Sequence, residues 1–166
     1  MTNFRIEVRF GVLYSLLMLL WLSLEFMIGL QDKYIPLHPY INILSFIIIP
    51  AVCIRLGLND KLEAQDGKLT FRQAFTTAFL IIFFASILSI PCQIVFHKLI
   101  NPDFFDDMTQ YAIKHADNLK LDVSQARRDA EMYFNLTSYI IQSGLLTLVF
   151  GTIISLFAAW RRNTDK

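Results

Sequence analysis

The sequence predicts an all-α fold: a four-helix transmembrane bundle with an amphipathic helical hairpin between the third and fourth spans. Three observations carry this. Apolar runs over about 10–30, 40–58, 72–98 and 138–160 each match the roughly 20 residues a helix needs to cross a hydrocarbon core. The composition is 55% hydrophobic and 17% charged, with a mean hydropathy of +0.47, whereas soluble domains are about a quarter charged. The polar stretch over about 102–137 repeats its apolar residues at helical spacing. One membrane domain is expected over 1–166.

In the first span, strong apolar residues at about −0.3 to −0.6 kcal/mol each outweigh the roughly 3 kcal/mol cost of one acid, Glu25. Arg5 and Arg9 before this run mimic a signal peptide, but the run continues to Leu30 and ends at Gln31-Asp32-Lys33 instead of small residues. That argues for an uncleaved helix. Pro36 and Pro39 make a tight loop to the second span, which contains Pro50 and closes on Arg55. Thr70 is suited to cap the third span, which starts near Phe71 and contains Pro91.

Phe104, Met108, Tyr111, Ala112, His115 and Leu119 form the apolar stripe of the first hairpin arm, after the start signal Asn101-Pro102-Asp103. Asp122 with Gln125 marks a second start. From there Ala126, Ala130, Tyr133, Phe134 and Thr137 meet no breaker, so the second arm is expected to run on into the fourth span. Asn135-Leu136-Thr137 matches a glycosylation sequon and reads as a chance match. In the fourth span Thr147, Gly151, Ser155 and Ala159 recur every four residues, a small-residue stripe that lets another helix approach closely. Its partner is a helix of the same bundle or of a second copy.

Arg5, Arg9, Arg55, Lys61, Lys68, Arg72, Arg161, Arg162 and Lys166 lie before the first span, between the second and third, or after the fourth. By the positive-inside rule both termini and the middle loop are cytoplasmic and the hairpin faces out. The net charge of +1 provides no basic face for nucleic acid. Cys53 and Cys92 fall at different depths, too far apart for a bridge. The three histidines lack metal-ligand spacing, and hydrolase, P-loop and dinucleotide motifs are absent. No cofactor is expected, and the partner read from composition is the lipid bilayer.

Three stretches resemble a known group: Phe10-Gly11-Val12 after a basic start, the helix approach from Asp66 through Phe75, and the ending from Gly151 through Arg162. Together they are similar to an uncharacterised family of small four-span bacterial membrane proteins, classed as a domain of unknown function. The resemblance implies a bacterial inner-membrane location and four helices with an elaborated segment before the last. It transfers no catalytic residues.

Glu25 is the strongest candidate for chemistry, because intramembrane acids usually face the protein interior and often mark ion or proton pathways. It lies about five residues, roughly 7–8 Å by the helical rise, from the outer end of its expected span. Gln93, His97 and Gln142 fall at the same level, and with Glu25 they are the polar-pocket candidates. Nothing comparable is expected further inward, past Leu20 or Leu88. The leading expectation is a non-enzymatic structural or partner-binding protein, a homodimer or an accessory subunit. The alternative is a transporter or channel component using the polar pocket. A third reading pairs His97 with Glu25 as acid and base at the outer face.

Overall fold

The computed structural model describes residues 4–162; Lys166 lies outside them. Six α-helices follow one another: α1 (Arg5–Met27), α2 (His38–Glu63), α3 (Phe71–Val95), α4 (Phe104–Asn118), α5 (Val123–Tyr133) and α6 (Leu136–Arg162). A 3-10 turn (Ile35–Leu37) precedes α2, and α3 continues as a π turn over Phe96–Ile100. No strand occurs among the described residues. Four helical stretches, Arg5–Met27, Ile35–Glu63, Phe71–Ile100 and Leu136–Arg162, are long and apolar enough to cross a membrane.

The helix ends follow from local chemistry. α1 stops at Met27, short of the expected Leu30, because Gly29 adopts a left-handed φ of +78°. Gly29 N–H then reaches the Phe26 carbonyl at 3.0 Å and Leu30 N–H the Glu25 carbonyl at 2.9 Å, closing the last turn. Pro39 sits in the first turn of α2, where a missing N–H costs nothing. Thr70 and Gln73 make a reciprocal capping box at the start of α3, with bonds of 3.0 and 3.2 Å.

Asp122 caps α5 by accepting from the backbone N–H groups of Ser124 at 2.8 Å and Gln125 at 3.1 Å. Its carboxyl is held below the usual carboxylate range, first by the Ser124 hydroxyl and then by these N–H groups. A lowered folded-state value means that the cap's stabilisation is complete above the ordinary carboxylate pKa and is lost as pH falls through the lowered one. Asp122→Ala at neutral pH is therefore expected to speed amide hydrogen exchange at Ser124 and Gln125, and acidification to lower their protection relative to the intrinsic exchange rate at the same pH. Unchanged exchange would remove the cap from the account.

The expected continuity of the second hairpin arm with the last span is corrected. α5 ends at Tyr133, and Asn135 starts α6 afresh: its Oδ1 accepts from Ser138 N–H at 3.0 Å, and its Nδ2 donates to the Met132 carbonyl at 2.9 Å. The sequon-like triplet thus lies at a helix start, where an Asn side chain substitutes for a missing backbone partner.

The four long helices form a ring in the order α1, α2, α6, α3, with α3 also packed across it on α2. Two apolar clusters fill the interior, one around Phe10, Tyr14, Phe46, Cys53 and Ile81, the other around Ile54, Leu58, Ala78, Ile82 and Ala159. Thr147, Gly151, Ser155 and Ala159 are all buried. A Cβ placed on Gly151 would stand 2.7 Å from Ile82 Cγ1, so the stripe is occupied by α3 of the same chain. Leu16, Leu20, Ile48, Phe83, Leu145, Val149 and Ile153 point outward and are more than a third exposed, an apolar coat of the kind a bilayer covers.

At the end where α1 begins and α6 finishes, polar bonds collar the bundle. Arg9 pairs with Asp60, Lys61 Nζ lies 3.3 Å from Glu7 Oε1, and Arg162 donates to Asn59 Oδ1 at 2.5 Å. This is the terminal end; α4 and α5, the segment expected as a hairpin, lie toward the opposite end, the hairpin end. Cys53 is buried, Cys92 half-buried, and both are free thiols.

Candidate functional site

Inside the hairpin-side half of the ring lies a cavity of about 600 Å³, walled by α1, α2, α3 and α6 and bounded also by residues of α4 and α5. Its lining is mainly aliphatic and aromatic, including Met18, Leu22, Ile43, Phe46 and Leu146. A column of polar side chains interrupts it. No carboxylate, ammonium or guanidinium lines it among the described residues.

The column runs in three levels. Nearest the hairpin, Asn42 Nδ2 lies 3.3 Å from His38 Nε2 and donates to the Tyr139 hydroxyl at 3.5 Å. Below, Gln93 Nε2 donates to Ser143 Oγ at 2.5 Å, and Ser143 donates to the Ile140 carbonyl at 3.1 Å. Deepest, the hydroxyls of Tyr14 and Thr147 share a 3.0 Å bond near the middles of α1 and α6. This corrects the expectation that polar groups stop at Leu20 and Leu88: Tyr14 and Thr147 carry them toward mid-span. Beyond that level Phe10, Cys53, Ile81 and Ala85 close the interior.

The four sequence candidates divide. Gln93 and Gln142 line the cavity, whereas Glu25 and His97 lie outside its lining. Gln142 is half-buried, and its Nε2 reaches the Tyr133 carbonyl at 3.4 Å, across the α5–α6 break. Glu25 is 2% exposed and stands behind His38: its Oε1 accepts from Trp21 Nε1 at 2.6 Å and its Oε2 lies 3.4 Å from His38 Nε2.

Glu25, held by Trp21 and facing His38, ties the last turn of α1 to the first of α2, and Asn42 extends the network one turn along α2.

His97 sits in the π turn, which widens the backbone to i→i+5 bonding, with Asn101 N–H on the Phe96 carbonyl at 2.9 Å. It is buried against Phe104, Phe105 and Tyr139, with ring centroids 4.8, 4.6 and 5.1 Å away, and neither ring nitrogen has a hydrogen-bond partner. The expected His97–Glu25 acid/base pair therefore has no bond to act through; the carboxyl's histidine partner is His38. Asn101 Nδ2 instead donates to Gln31 Oε1 at 2.9 Å, tying the turn after α1 to the start of the hairpin.

Outside the spans, Asp107 has its carboxyl pushed above the usual range, first by partial burial and then by the negative charges of Asp103, Asp32 and Asp106. Negative charge thus gathers where α4 begins, beside the cavity residue Met108.

The profile of the family described as "Protein of unknown function (DUF4199)" matches residues 9–162, from the second turn of α1 to the end of α6. The chain belongs to the DUF4199 family. No curated protein and no solved structure matches it.

In this DUF4199 chain, sequence reasoning passed over His38, Tyr14 and the Tyr139 hydroxyl. His38 lacks metal-ligand spacing, yet it precedes Asn42 by four residues, as Trp21 precedes Glu25, and i,i+4 side chains share a helix face. Tyr14 also carried a signal, since a membrane tyrosine so far from the interface needs an internal partner.

Proposed function

We propose that this DUF4199 protein is a multi-pass membrane protein that binds a small, uncharged, largely apolar molecule between its spans. The cavity carries the reading. Its volume of about 600 Å³ lies within the roughly 300–1,000 Å³ of small-molecule sites, which combine apolar walls with a few converging polar groups. A phosphate, carboxylate or ammonium would enter a mainly apolar site lined by no carboxylate, ammonium or guanidinium among the described residues, at a large desolvation cost.

The transporter or channel alternative would use the same polar column. The packed floor of Phe10, Cys53, Ile81 and Ala85 favours holding a molecule over passing one. A homodimer would need a face other than the Gly151 stripe, which is taken up by α3. For a membrane-protein partner, the hairpin offers exposed Arg127 and Arg128. The basic residues at the terminal end support a bacterial inner-membrane placement with both termini cytoplasmic and the hairpin outside.

The test is native mass spectrometry of the detergent-solubilised full chain titrated with 1-hexadecanol. Wild type is expected to take up one molecule. Leu146→Trp, which puts an indole into the cavity wall, is expected to lose that adduct while keeping its helical circular dichroism. Equal uptake by the two proteins would overturn the reading.

A further inference from the structure

Gln93 is 6% exposed, lines the cavity, and its Oε1 has no hydrogen-bond partner. The reason lies in its neighbour. The Ser143 hydroxyl donates to the Ile140 carbonyl on its own helix, and its oxygen accepts from Gln93 Nε2. With its N–H group on Ser143, the carboxamide's carbonyl oxygen is left without a donor. A buried acceptor left so is costly unless something donates to it. The other polar side chains of the column are engaged elsewhere: Tyr14 with Thr147, and His38 with Asn42 and Glu25.

We infer that the cavity's ligand is a single-chain amphiphile with an uncharged hydroxyl head, whose O–H donates to Gln93 Oε1. Its hydrocarbon chain lies against Met18, Leu22, Ile43, Phe46 and Leu146. This rests on the binding reading above and adds the chemistry of the head group. An ether or ester of the same chain presents only acceptors and leaves Gln93 Oε1 unpaired. A phosphate ester brings charge into a mainly apolar lining that holds no ammonium or guanidinium among the described residues.

The experiment uses tritiated 1-hexadecanol on the purified full chain, with unlabelled hexadecyl methyl ether and hexadecyl phosphate as competitors. The ether is expected to compete about tenfold more weakly than unlabelled hexadecanol, the loss of one buried hydrogen bond, and the phosphate more weakly still. Gln93→Met, close in shape but with no acceptor oxygen, is expected to bind hexadecanol about tenfold more weakly than wild type and to lose the preference for alcohol over ether. Equal competition by ether and alcohol on wild type overturns the inference and needs no variant to fold. If both compounds bind equally and Leu146→Trp abolishes both, the cavity reading stands and only the hydroxyl assignment falls. If hexadecanol binding is absent, or is unmoved by Leu146→Trp, the binding reading falls with it.

Discussion

Gly151→Leu is expected to prevent the bundle from holding together. The position faces Ile82 on α3 so closely that even a Cβ overlaps that side chain, and the Ile82 Cγ1 it would meet at 2.7 Å belongs to a fully buried residue. Overpacking a formed core costs about 1–3 kcal/mol for small insertions and more where the neighbour cannot move. A leucine adds three further carbons to that collision. The α3–α6 seam should open, and detergent-solubilised protein should aggregate or melt at far lower temperature.

Because a variant this disruptive reports only loss, the finer measurement is a cycle of Gly151→Ala with Ile82→Ala. The two should couple by about 1–3 kcal/mol, with the second substitution relieving the first. Oligomeric state, read by light scattering, should not follow Gly151→Ala. A falling dimer fraction at an unchanged unfolding midpoint would instead put the stripe between two copies.

Glu25→Leu is expected to destabilise by about 3 kcal/mol, the scale for breaking a buried polar pair from one side. The substitution strips Trp21 Nε1 of its acceptor and leaves His38 facing hydrocarbon, with Glu25 itself at 2% exposure. Glu25→Gln should cost no more than about 1 kcal/mol. A carboxamide oxygen still accepts from Trp21, and its N–H can donate to the bare His38 nitrogen of the neutral tautomer.

Thermal unfolding of the two variants in one detergent separates the cases. If Glu25→Gln is as damaging as Glu25→Leu, the carboxyl carries charge toward a protonated His38. If neither substitution matters, the α1–α2 tie contributes nothing. With His38→Ala as background, Glu25→Leu should lose most of its effect, since neighbours in one network are not additive.

Much of this architecture was legible before any coordinates. The four spans, the N-cap at Thr70 and the second helix start at Asp122 each depend on residues a few positions apart, and local rules read them directly. The stripe from Thr147 to Ala159 announced a close helix contact, though not which helix would make it. The missed break between α5 and α6 shows the limit of periodicity. Phe134 and Thr137 keep a helical apolar spacing across a point where Asn135 restarts the chain through its side-chain bond to Ser138. Spacing does not distinguish an asparagine inside a helix from one capping it.

The candidate site was less legible. Glu25 was conspicuous as the single acid of an apolar span, but its partner was sought in His97. Both histidines fall near the same level, and a linear reading cannot say which one turns toward it. The π turn answers that for His97, directing its ring among Phe104, Phe105 and Tyr139.

From the sequence alone come the solvent, the four membrane-capable helices and the family resemblance, because hydropathy is a property of short windows of chain. The tertiary structure alone decides that α3 fills the stripe, that the polar column reaches Tyr14, and that a cavity lies beside Gln93. Gln93 meets Ser143 from 50 residues away and Tyr14 meets Thr147 from 133. Such meetings depend on how each helix is rotated against its neighbours, and that rotation is set by the packing of the whole ring at once.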